Sequence, residues 1–386
     1  MQVGAGAGRI SNALVAAIND SVRQVLDRAR ADSAFPGAFA VVGTHDRVLA
    51  EYGVGSLDWA PSPRPDDRTL WDLASLSKVV GMTSAMMQLV AQGKVSLDAP
   101  VQRYLPDWTG PNKDRVTIRN LLTHTSGLPP DQPPGSKPYD EITHNADSVA
   151  MLLYTTPLDT LPGVKMVYSD VGAYIAGRVV EKVSGEKLDV YLHEHVFEPA
   201  GMHETMYNPP ASLIPRIAPT EFDPRRGGLV RGKVHDERAY YLGGVSAHAG
   251  IFSTAHDLTR FAQMYLNDGV IDGVRVLPAA QIRQFTQYQD STFSDRAIGW
   301  QKPDFPGMKY TSGPAWAGHL MSSRAFGHTG FTGTSIGIDP ANDLFIILLT
   351  NRVDPTRNNN KIQPVRRALA DAVLHVILPA GSPTHP

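Results

Sequence analysis

The sequence predicts an α+β fold in which strands from both chain ends form one antiparallel sheet, with a mainly helical domain inserted between them. Strand-like segments lie near the two ends, and each end also carries an amphipathic helix that can cover the sheet. The middle of the chain has apolar residues at helical spacing. We assign residues 1–70 and 285–386 to the sheet domain and residues 71–284 to the helical domain, and expect the functional site between them.

The first predicted elements are one helix and two strands. Apolar residues at three- and four-residue steps predict a helix over residues 11–31, which stops before Pro36. Residues 38–42 and 48–52 follow as strands around a turn. Two strands are too few for a stable sheet, so they need partners from elsewhere in the chain.

The middle of the chain begins with an apolar helix predicted over residues 75–92, with Gly93 at the position typical of a C-terminal cap. Further helices are predicted at residues 118–124, 146–155, 171–184, 188–198 and 254–267. Five prolines in residues 129–138 predict a surface loop. The long stretch of residues 209–247 has few periodic segments, which is typical of a loop that covers a functional site.

The C-terminal third supplies the missing strands. Residues 327–332, 335–338 and 344–349 are rich in β-formers, and a turn joins the last two segments. Pro364 then opens a helix with one apolar face. Together with the two N-terminal strands, these segments predict a sheet of about five or more strands, flanked by the terminal helices.

Composition excludes several classes of function. The chain has 386 residues and a formal net charge of −2, so no long-range field attracts nucleic acid. It has no cysteine, which excludes disulfides and thiolate chemistry. No apolar run approaches the roughly 18 residues of a membrane span, so we expect no stable membrane insertion. The oligomeric state stays open, and so does the compartment: cytoplasmic as written, or periplasmic or extracellular if a leader has been removed.

The first turn of the 75–92 helix carries Ser75 and Lys78, which lie on one face because they are three residues apart. A buried lysine beside a hydroxyl is costly to keep. A serine hydroxyl needs a neighbouring base to act as a nucleophile. Burial and the positive helix N-terminus are both expected to lower the pKa of Lys78.

A Ser-x-x-Lys motif alone is weak evidence, since Ser184 and Lys187 form a second one. Here the first motif is followed, in order, by Tyr168-Ser169-Asp170 and His328-Thr329-Gly330. With these motifs the chain resembles the serine β-lactamase and penicillin-binding-protein superfamily. It is most similar to the branch of class C β-lactamases, D-alanyl-D-alanine carboxypeptidases and family VIII carboxylesterases. Residues 121–129, 243–253 and 326–334 add to the resemblance, which spans nearly the whole chain.

The resemblance implies a β-lactamase-like fold and a serine hydrolase that forms an acyl-enzyme. Ser75 would attack an acyl carbonyl, with Lys78 and Tyr168 as the general-base pair, and Tyr168 would later protonate the leaving group. The backbone N–H groups of Ser75 and Phe331 would hold the oxyanion, because the strand that carries His328 should run beside the Ser75 helix. No cofactor and no metal are expected.

Two departures from the family pattern bear on the substrate. Asp170 stands where the family has asparagine, and an ionised carboxylate cannot donate to a substrate carbonyl. His328 replaces a lysine before Thr329 and Gly330, and gives a pH-dependent charge. We predict that Asp170, His328, Thr329 and Gly330 bind the substrate. The two departures favour a carboxylesterase for small or medium acyl esters. The alternatives are a D-alanyl-D-alanine carboxypeptidase or β-lactamase acting on a peptide-like substrate, and a penicillin-binding sensor that does not turn over.

Four other motifs are given structural interpretations. Residues 333–337 match a nucleophile elbow, but a strand and a turn follow Ser335 where the elbow needs a helix. His193 and His195 lie two apart on a helix and point to different faces, so we predict no metal site there. Residues 235–237 could line a pocket, but a solvated loop is the favoured interpretation. Residues 351–352 are either an exposed strand end or a contact for an anionic substrate group.

Overall fold

The computed structural model describes residues 11–131, 146–304, 308–309 and 311–378. Within these ranges the helices are α1 (Asn12–Ala31), α2 (Ser84–Ala91), α3 (Ile118–Leu122), α4 (Ala146–Thr155), α5 (Asp170–Ser184), α6 (Leu188–Leu192), α7 (Glu237–Tyr241), α8 (Ala255–Leu266), α9 (Ala279–Phe285) and α10 (Ile362–Ile377). The strands are β1 (Gly37–Gly43), β2 (Val48–Gly55), β3 (Trp71–Asp72), β4 (Met206–Tyr207), β5 (Phe222–Asp223), β6 (Gly228–Leu229), β7 (Ile251–Ser253), β8 (Val270–Ile271), β9 (Val274–Arg275), β10 (Phe326–Thr329), β11 (Ser335–Asp339) and β12 (Leu344–Thr350).

The central sheet is built from both chain ends, as predicted. Its five antiparallel strands lie in the order β10-β11-β12-β1-β2. The joint between the two ends is the β1–β12 ladder, which runs from the Ala38–Thr350 pair to the Gly43–Phe345 pair. The α+β fold class is therefore confirmed.

Side chains that alternate between the two sides of each strand give the sheet two buried faces. In β1, Ala38, Ala40 and Val42 join a core with the terminal helices α1 and α10. Phe39 and Val41 point the other way, into the core shared with the helical region. Successive strand residues face opposite sides of a sheet, so one strand serves both cores. The division at residues 70/71 and 284/285 stays a prediction.

The helix after Ser75 was predicted as one regular α-helix, but its first part has a different geometry. Its first part, Lys78–Thr83, is a wide π-helical segment, and α2 continues from it. Every residue of that segment is buried, and a Cβ on Gly81 would lie 2.8 Å from Ile251 and Leu192 side-chain atoms. Gly93 ends the helix with φ +70°, as predicted. Such π segments frequently occur at functional sites.

The small sheet β3-β7-β4 and helix α9 were not predicted from the sequence. Strands of two residues carry no measurable period, so no sequence pattern marks them. The stretch of residues 209–247 contains β5, β6 and α7. Most of the proline-rich segment predicted as a loop lies outside the described residues. Across the described part of the chain, no helix combines the length and the apolar character that crossing a membrane requires.

Candidate active site

Remote parts of the chain meet at one cavity of about 400 Å³. Six of the predicted site residues line it: Ser75, Tyr168, His328, Thr329, Gly330 and Phe331. Lys78 lies buried behind Ser75. The arginines Arg296, Arg352 and Arg366 also line the cavity, and the sequence interpretation had singled out only Arg352 among them.

Ser75 is presented by a strained turn after β3. Ala74, which precedes it, has φ +46°, a left-handed conformation that costs a non-glycine residue about 1 kcal/mol. The Asp72 carboxylate accepts the Ala74 N–H at 2.8 Å. Thr332 and Thr334 donate to the carbonyl oxygens of the two residues before Ala74, at 2.7 and 3.0 Å. These bonds tie the turn after β10 to the segment that leads into Ser75.

The amine of Lys78 is surrounded by three acceptors. Its Nζ lies 2.9 Å from Ser75 Oγ, 2.9 Å from the His248 carbonyl oxygen and 2.6 Å from Asp170 Oδ1. An ammonium group has three donors, so this geometry fits the charged lysine. Burial lowers the pKa of Lys78, but Asp170 and then Tyr168 outweigh burial and raise it above its ordinary value. The expected lowering was wrong because the sequence did not reveal the counter-charge.

Asp170 is the first residue of α5, and cations bind both of its carboxylate oxygens. Oδ1 pairs with Lys78, and Oδ2 accepts from Arg238 Nη2 at 2.7 Å. Burial raises the pKa of Asp170, but Lys78 and Arg238 outweigh burial and hold the pKa well below its usual range. The structure therefore corrects the predicted substrate contact: Asp170 faces Lys78 because a buried ammonium needs an anion.

Tyr168 is enclosed by rings and cations. Its ring centroid lies 4.4 Å from that of His124 and 5.9 Å from that of His328. Lys78 Nζ and Arg296 Cζ face the same ring at 4.9 and 5.2 Å. Its hydroxyl is buried and finds no hydrogen-bond partner among the described residues. The structure thus leaves the phenol oxygen available beside the serine and the lysine.

His328 does not supply the expected pH-dependent charge. Burial, followed by Arg296 and Lys78, holds the pKa of His328 well below its usual range, so the ring is neutral. Arg296 provides a fixed cation instead. It is buried, its Nε lies 3.4 Å from Asp295 Oδ1, and its Nη1 has no hydrogen-bond partner within the described ranges. No motif or period marks Arg296, so sequence reasoning missed it.

The backbone N–H groups of Ser75 and Phe331, which the sequence predicts as the oxyanion donors, both belong to residues that line the cavity. In the described structure, neither Ser75 nor Phe331 donates its N–H to a backbone carbonyl. Gly330 lets the two segments approach, because a Cβ there would lie 2.4 Å from the Leu73 carbonyl oxygen. Preorganised N–H pairs of this kind are worth a few kcal/mol to a developing oxyanion.

Residues 235–237 are not the solvated loop that the sequence interpretation favoured. His235 is buried, and its Nε2 lies 2.9 Å from Glu221 Oε2. Asp236 contacts both His248 Nε2, at 2.9 Å, and Arg238. The interpretation was wrong because polar residues can be buried when their partners come from remote segments.

The elbow-like motif is part of the sheet, whereas the strand end at residues 351–352 borders the cavity. Ser335 begins strand β11 and no helix follows it, so it is no nucleophile elbow. The Asn351 amide donates to two backbone carbonyls, and Arg352 donates to the Phe331 carbonyl at 2.8 Å. His195 Nε2 lies 3.1 Å from a carboxylate oxygen of Glu186, on the protein surface.

Comparisons with known proteins agree with this geometry. The chain is 35% identical over 377 residues to an N-acetylmuramyl-L-alanine amidase of Bacillus subtilis, covering 88% of this chain and 83% of the relative. It is 34% identical over 320 residues to a putative D-alanyl-D-alanine carboxypeptidase of Salmonella agona, covering 77% of this chain and 72% of the relative. The solved structure of EstCE1, a hydrolase with promiscuous acyltransferase activity, superposes with a TM-score of 0.73 at 21% identity, covering 94% of this chain and all of that one.

The structural likeness shows a shared fold. The family profile named Beta-lactamase matches residues 22–371, which is most of the chain. This match includes the Ser75, Tyr168 and His328 segments. The chain therefore belongs to the β-lactamase family of serine hydrolases, which is related to the penicillin-binding proteins.

Proposed function

We propose that this protein hydrolyses carboxylic acyl bonds through an acyl-enzyme on Ser75. The observation that carries the proposal is the contact of 2.9 Å between Ser75 Oγ and Lys78 Nζ, at a cavity that the unpaired Tyr168 hydroxyl also lines. A nucleophile within hydrogen-bond reach of its proton-handling group is the signature of covalent catalysis.

The proposed reaction has two steps. Ser75 Oγ attacks the carbonyl carbon and its proton passes to the Tyr168 oxygen, while the Tyr168 hydroxyl gives its own proton to the leaving group. The N–H groups of Ser75 and Phe331 hold the oxyanion. The acyl bond breaks, the leaving group departs with the proton that it received from Tyr168, and the tyrosine hydroxyl is restored by the proton from Ser75. Water hydrolyses the acyl-serine in the second step and regenerates the free hydroxyl.

Within this class we propose carboxylic esters with small or medium acyl groups as the substrates cleaved fastest. Both oxygens of Asp170 are bound to cations, and an ionised carboxylate only accepts. No amide is therefore present at this position to donate to the carbonyl of a peptide-like substrate. Esters have a better leaving group and depend less on such a donor.

A second candidate is a carboxypeptidase or amidase acting on an anionic fragment. Arg296 carries an unpaired Nη1 at the cavity, and Arg352 and Arg366 add positive charge. Charge-assisted hydrogen bonds to a carboxylate are the strongest that such a site can form. The names of the relatives, a D-alanyl-D-alanine carboxypeptidase and an N-acetylmuramyl-L-alanine amidase, support this candidate.

A substrate panel tests these proposals. It contains p-nitrophenyl esters of increasing chain length, a D-alanyl-D-alanine peptide, N-acetylmuramyl-L-alanine and a chromogenic cephalosporin. We expect the highest kcat/KM for a short or medium ester. Ser75→Ala should lower it by at least about 10³-fold without loss of fold, as for other serine nucleophiles. Ser184→Ala, in the second Ser-x-x-Lys motif, is the matched control and should retain activity.

Three outcomes would count against the proposals. Unchanged turnover in Ser75→Ala would reject the nucleophile. Faster cleavage of the peptide or the muramyl substrate would replace the ester by the second candidate. An adduct that forms on Ser75 by mass spectrometry but never clears would indicate a penicillin-binding sensor instead of a hydrolase.

A further inference from the structure

A closed ring of five polar residues surrounds the amine of Lys78. Lys78 Nζ pairs with Asp170 Oδ1 at 2.6 Å, and Asp170 Oδ2 accepts from Arg238 at 2.7 Å. Arg238 Nη2 lies 3.1 Å from Asp236 Oδ2, and Asp236 Oδ1 accepts from His248 Nε2 at 2.9 Å. The His248 carbonyl oxygen closes the ring on Lys78 Nζ at 2.9 Å. Three of these residues, at positions 236, 238 and 248, have no step in the proposed reaction.

The ring joins three remote pieces of chain, and most of its members have a second anchor. Asp236 Oδ1 also accepts the Ala239 N–H and so caps α7. The Ser246 hydroxyl lies 2.7 Å from His248 Nδ1. The side chains of Lys78 and His248 are each only 1% exposed. A ring whose central members are buried and which is tied at several points holds its members in one arrangement.

We propose that Asp236, Arg238 and His248 are positioning residues that hold the Lys78–Asp170 pair against the Ser75 hydroxyl and thereby set the lower pH limit of the reaction. This inference rests on the proposed acyl-serine function. Its physical basis is that an ammonium with three fixed acceptors keeps one position, and a displacement of about 1 Å at a catalytic group can cost 10²-fold in rate.

The lower pH limit follows from the charges around Asp170. The titratable and charged groups that face it are Lys78, Arg238, His248, Asp236, His124 and His328, with Asp131 behind Arg238. Arg238 is one of the cations that hold the pKa of Asp170 low. Without that cation, Asp170 binds a proton at a higher pH, and Lys78 then loses its anion. Activity should therefore decline at a higher pH than in the wild type.

The experiment measures the rate at which a fluorophosphonate reagent modifies Ser75, by mass spectrometry across a pH series, together with kcat/KM on the best ester. We expect Arg238→Gln to lower both by about tenfold to a hundredfold and to move the acid limb upward by about one pH unit. Arg238→Lys keeps the cation, so its acid limb should stay near that of the wild type. Glu237→Gln, next in sequence but outside the ring, should match the wild type throughout.

Wild-type rates and an unshifted acid limb in a folded Arg238→Gln variant would overturn the inference. If that variant does not fold, Asp236→Asn replaces it, because asparagine still caps α7 but lacks the charge that holds His248. A tenfold slower modification of Ser75 in this variant supports positioning, and a wild-type rate overturns it. Since the reagent needs no natural substrate, a failure of the proposed hydrolysis would appear as labelling without turnover.

Discussion

At the residue scale, the site combines a lysine amine that has several polar partners with a tyrosine hydroxyl that has no hydrogen-bond partner in the part of the chain that the structure describes. Lys78 donates hydrogen bonds to Ser75 and His248 and forms an ion pair with Asp170, whereas the hydroxyl of Tyr168 has no hydrogen-bond partner among the described residues. A buried polar group without a partner costs about 1–3 kcal/mol. Groups that destabilise the resting fold are expected where the chemistry uses them.

Tyr168→Phe should separate activity from stability. We expect kcat/KM to fall by about 10²–10⁴-fold, the usual contribution of a general acid–base group. The melting temperature should stay the same or rise, because the unpaired hydroxyl is removed while the ring still packs on His124 and His328. Steady-state kinetics on the best ester and a thermal melt measure the two effects.

Tyr191→Phe is the matched control, since the buried Tyr191 hydroxyl donates to Gln88 Oε1 at 3.1 Å, away from the cavity. Its loss should lower the melting temperature and leave kcat/KM unchanged. A Tyr168→Phe variant that melts lower but turns over normally would assign a purely structural role to the phenol.

At the scale of the element, helix α5 shows how close packing supports the site. Its N-terminus carries Asp170, and its middle carries Gly177 against the segment that leads to His248. A Cβ on Gly177 would lie 2.6 Å from the Ala247 Cβ. A Cβ on Gly172, one turn earlier, would meet its nearest atoms at 3.6 Å or more. The same substitution therefore has opposite consequences at two positions of one helix.

Gly177→Ala should destabilise the protein by about 1–3 kcal/mol, because an added methyl group overpacks the contact with Ala247. Gly172→Ala should be neutral or stabilise by roughly 0.5–1 kcal/mol, since alanine loses less backbone entropy in a helix. Thermal and denaturant unfolding of the two variants measure the difference. Equal changes in both would show that α5 can shift to accommodate the methyl group.

At the scale of the whole molecule, an ion-pair cluster ties the 209–247 stretch to the sheet domain. Arg357, which follows β12, donates from Nε to Glu221 Oε2 at 2.6 Å and also pairs with Glu237. Burial raises the pKa of Glu221, but hydrogen bonds from His235 and Arg357 outweigh burial and hold it well below its usual range. A carboxylate whose pKa is lowered by folding stabilises the fold above its unfolded pKa, about 4.3 for glutamate. That contribution is lost as the pH falls from there toward the folded pKa.

Arg357→Gln should therefore weaken the fold in a pH-dependent way. At pH 7 we expect a melting temperature several degrees below that of the wild type, because Glu221 loses its cation. The gap between variant and wild type should narrow at low pH as Glu221 binds a proton in both folded chains, because Arg357 then no longer pairs with a carboxylate at this position. Thermal melts of both proteins across this pH range test whether the difference in melting temperature becomes smaller at low pH. A difference that is the same at every pH would contradict the prediction.

Local patterns determined much of this protein. The bounds of α1 and the end of α4 follow from apolar periodicity, and the Ser11 side chain caps α1 by accepting the Leu14 N–H. The strands of the sheet and the order of the Ser75, Tyr168 and His328 motifs were also readable, because each depends on residues close in sequence. These signals were enough to predict the fold class and the family.

Only the tertiary structure decided the electrostatics of the site. The ion pair of Lys78 with Asp170, the neutral ring of His328, the fixed cation of Arg296 and the contact of Asp236 with His248 all depend on how the folded chain packs. No period or spacing encodes such contacts. The pKa of a buried group is set by the charges that folding brings within a few ångströms, and a one-dimensional sequence does not contain those distances.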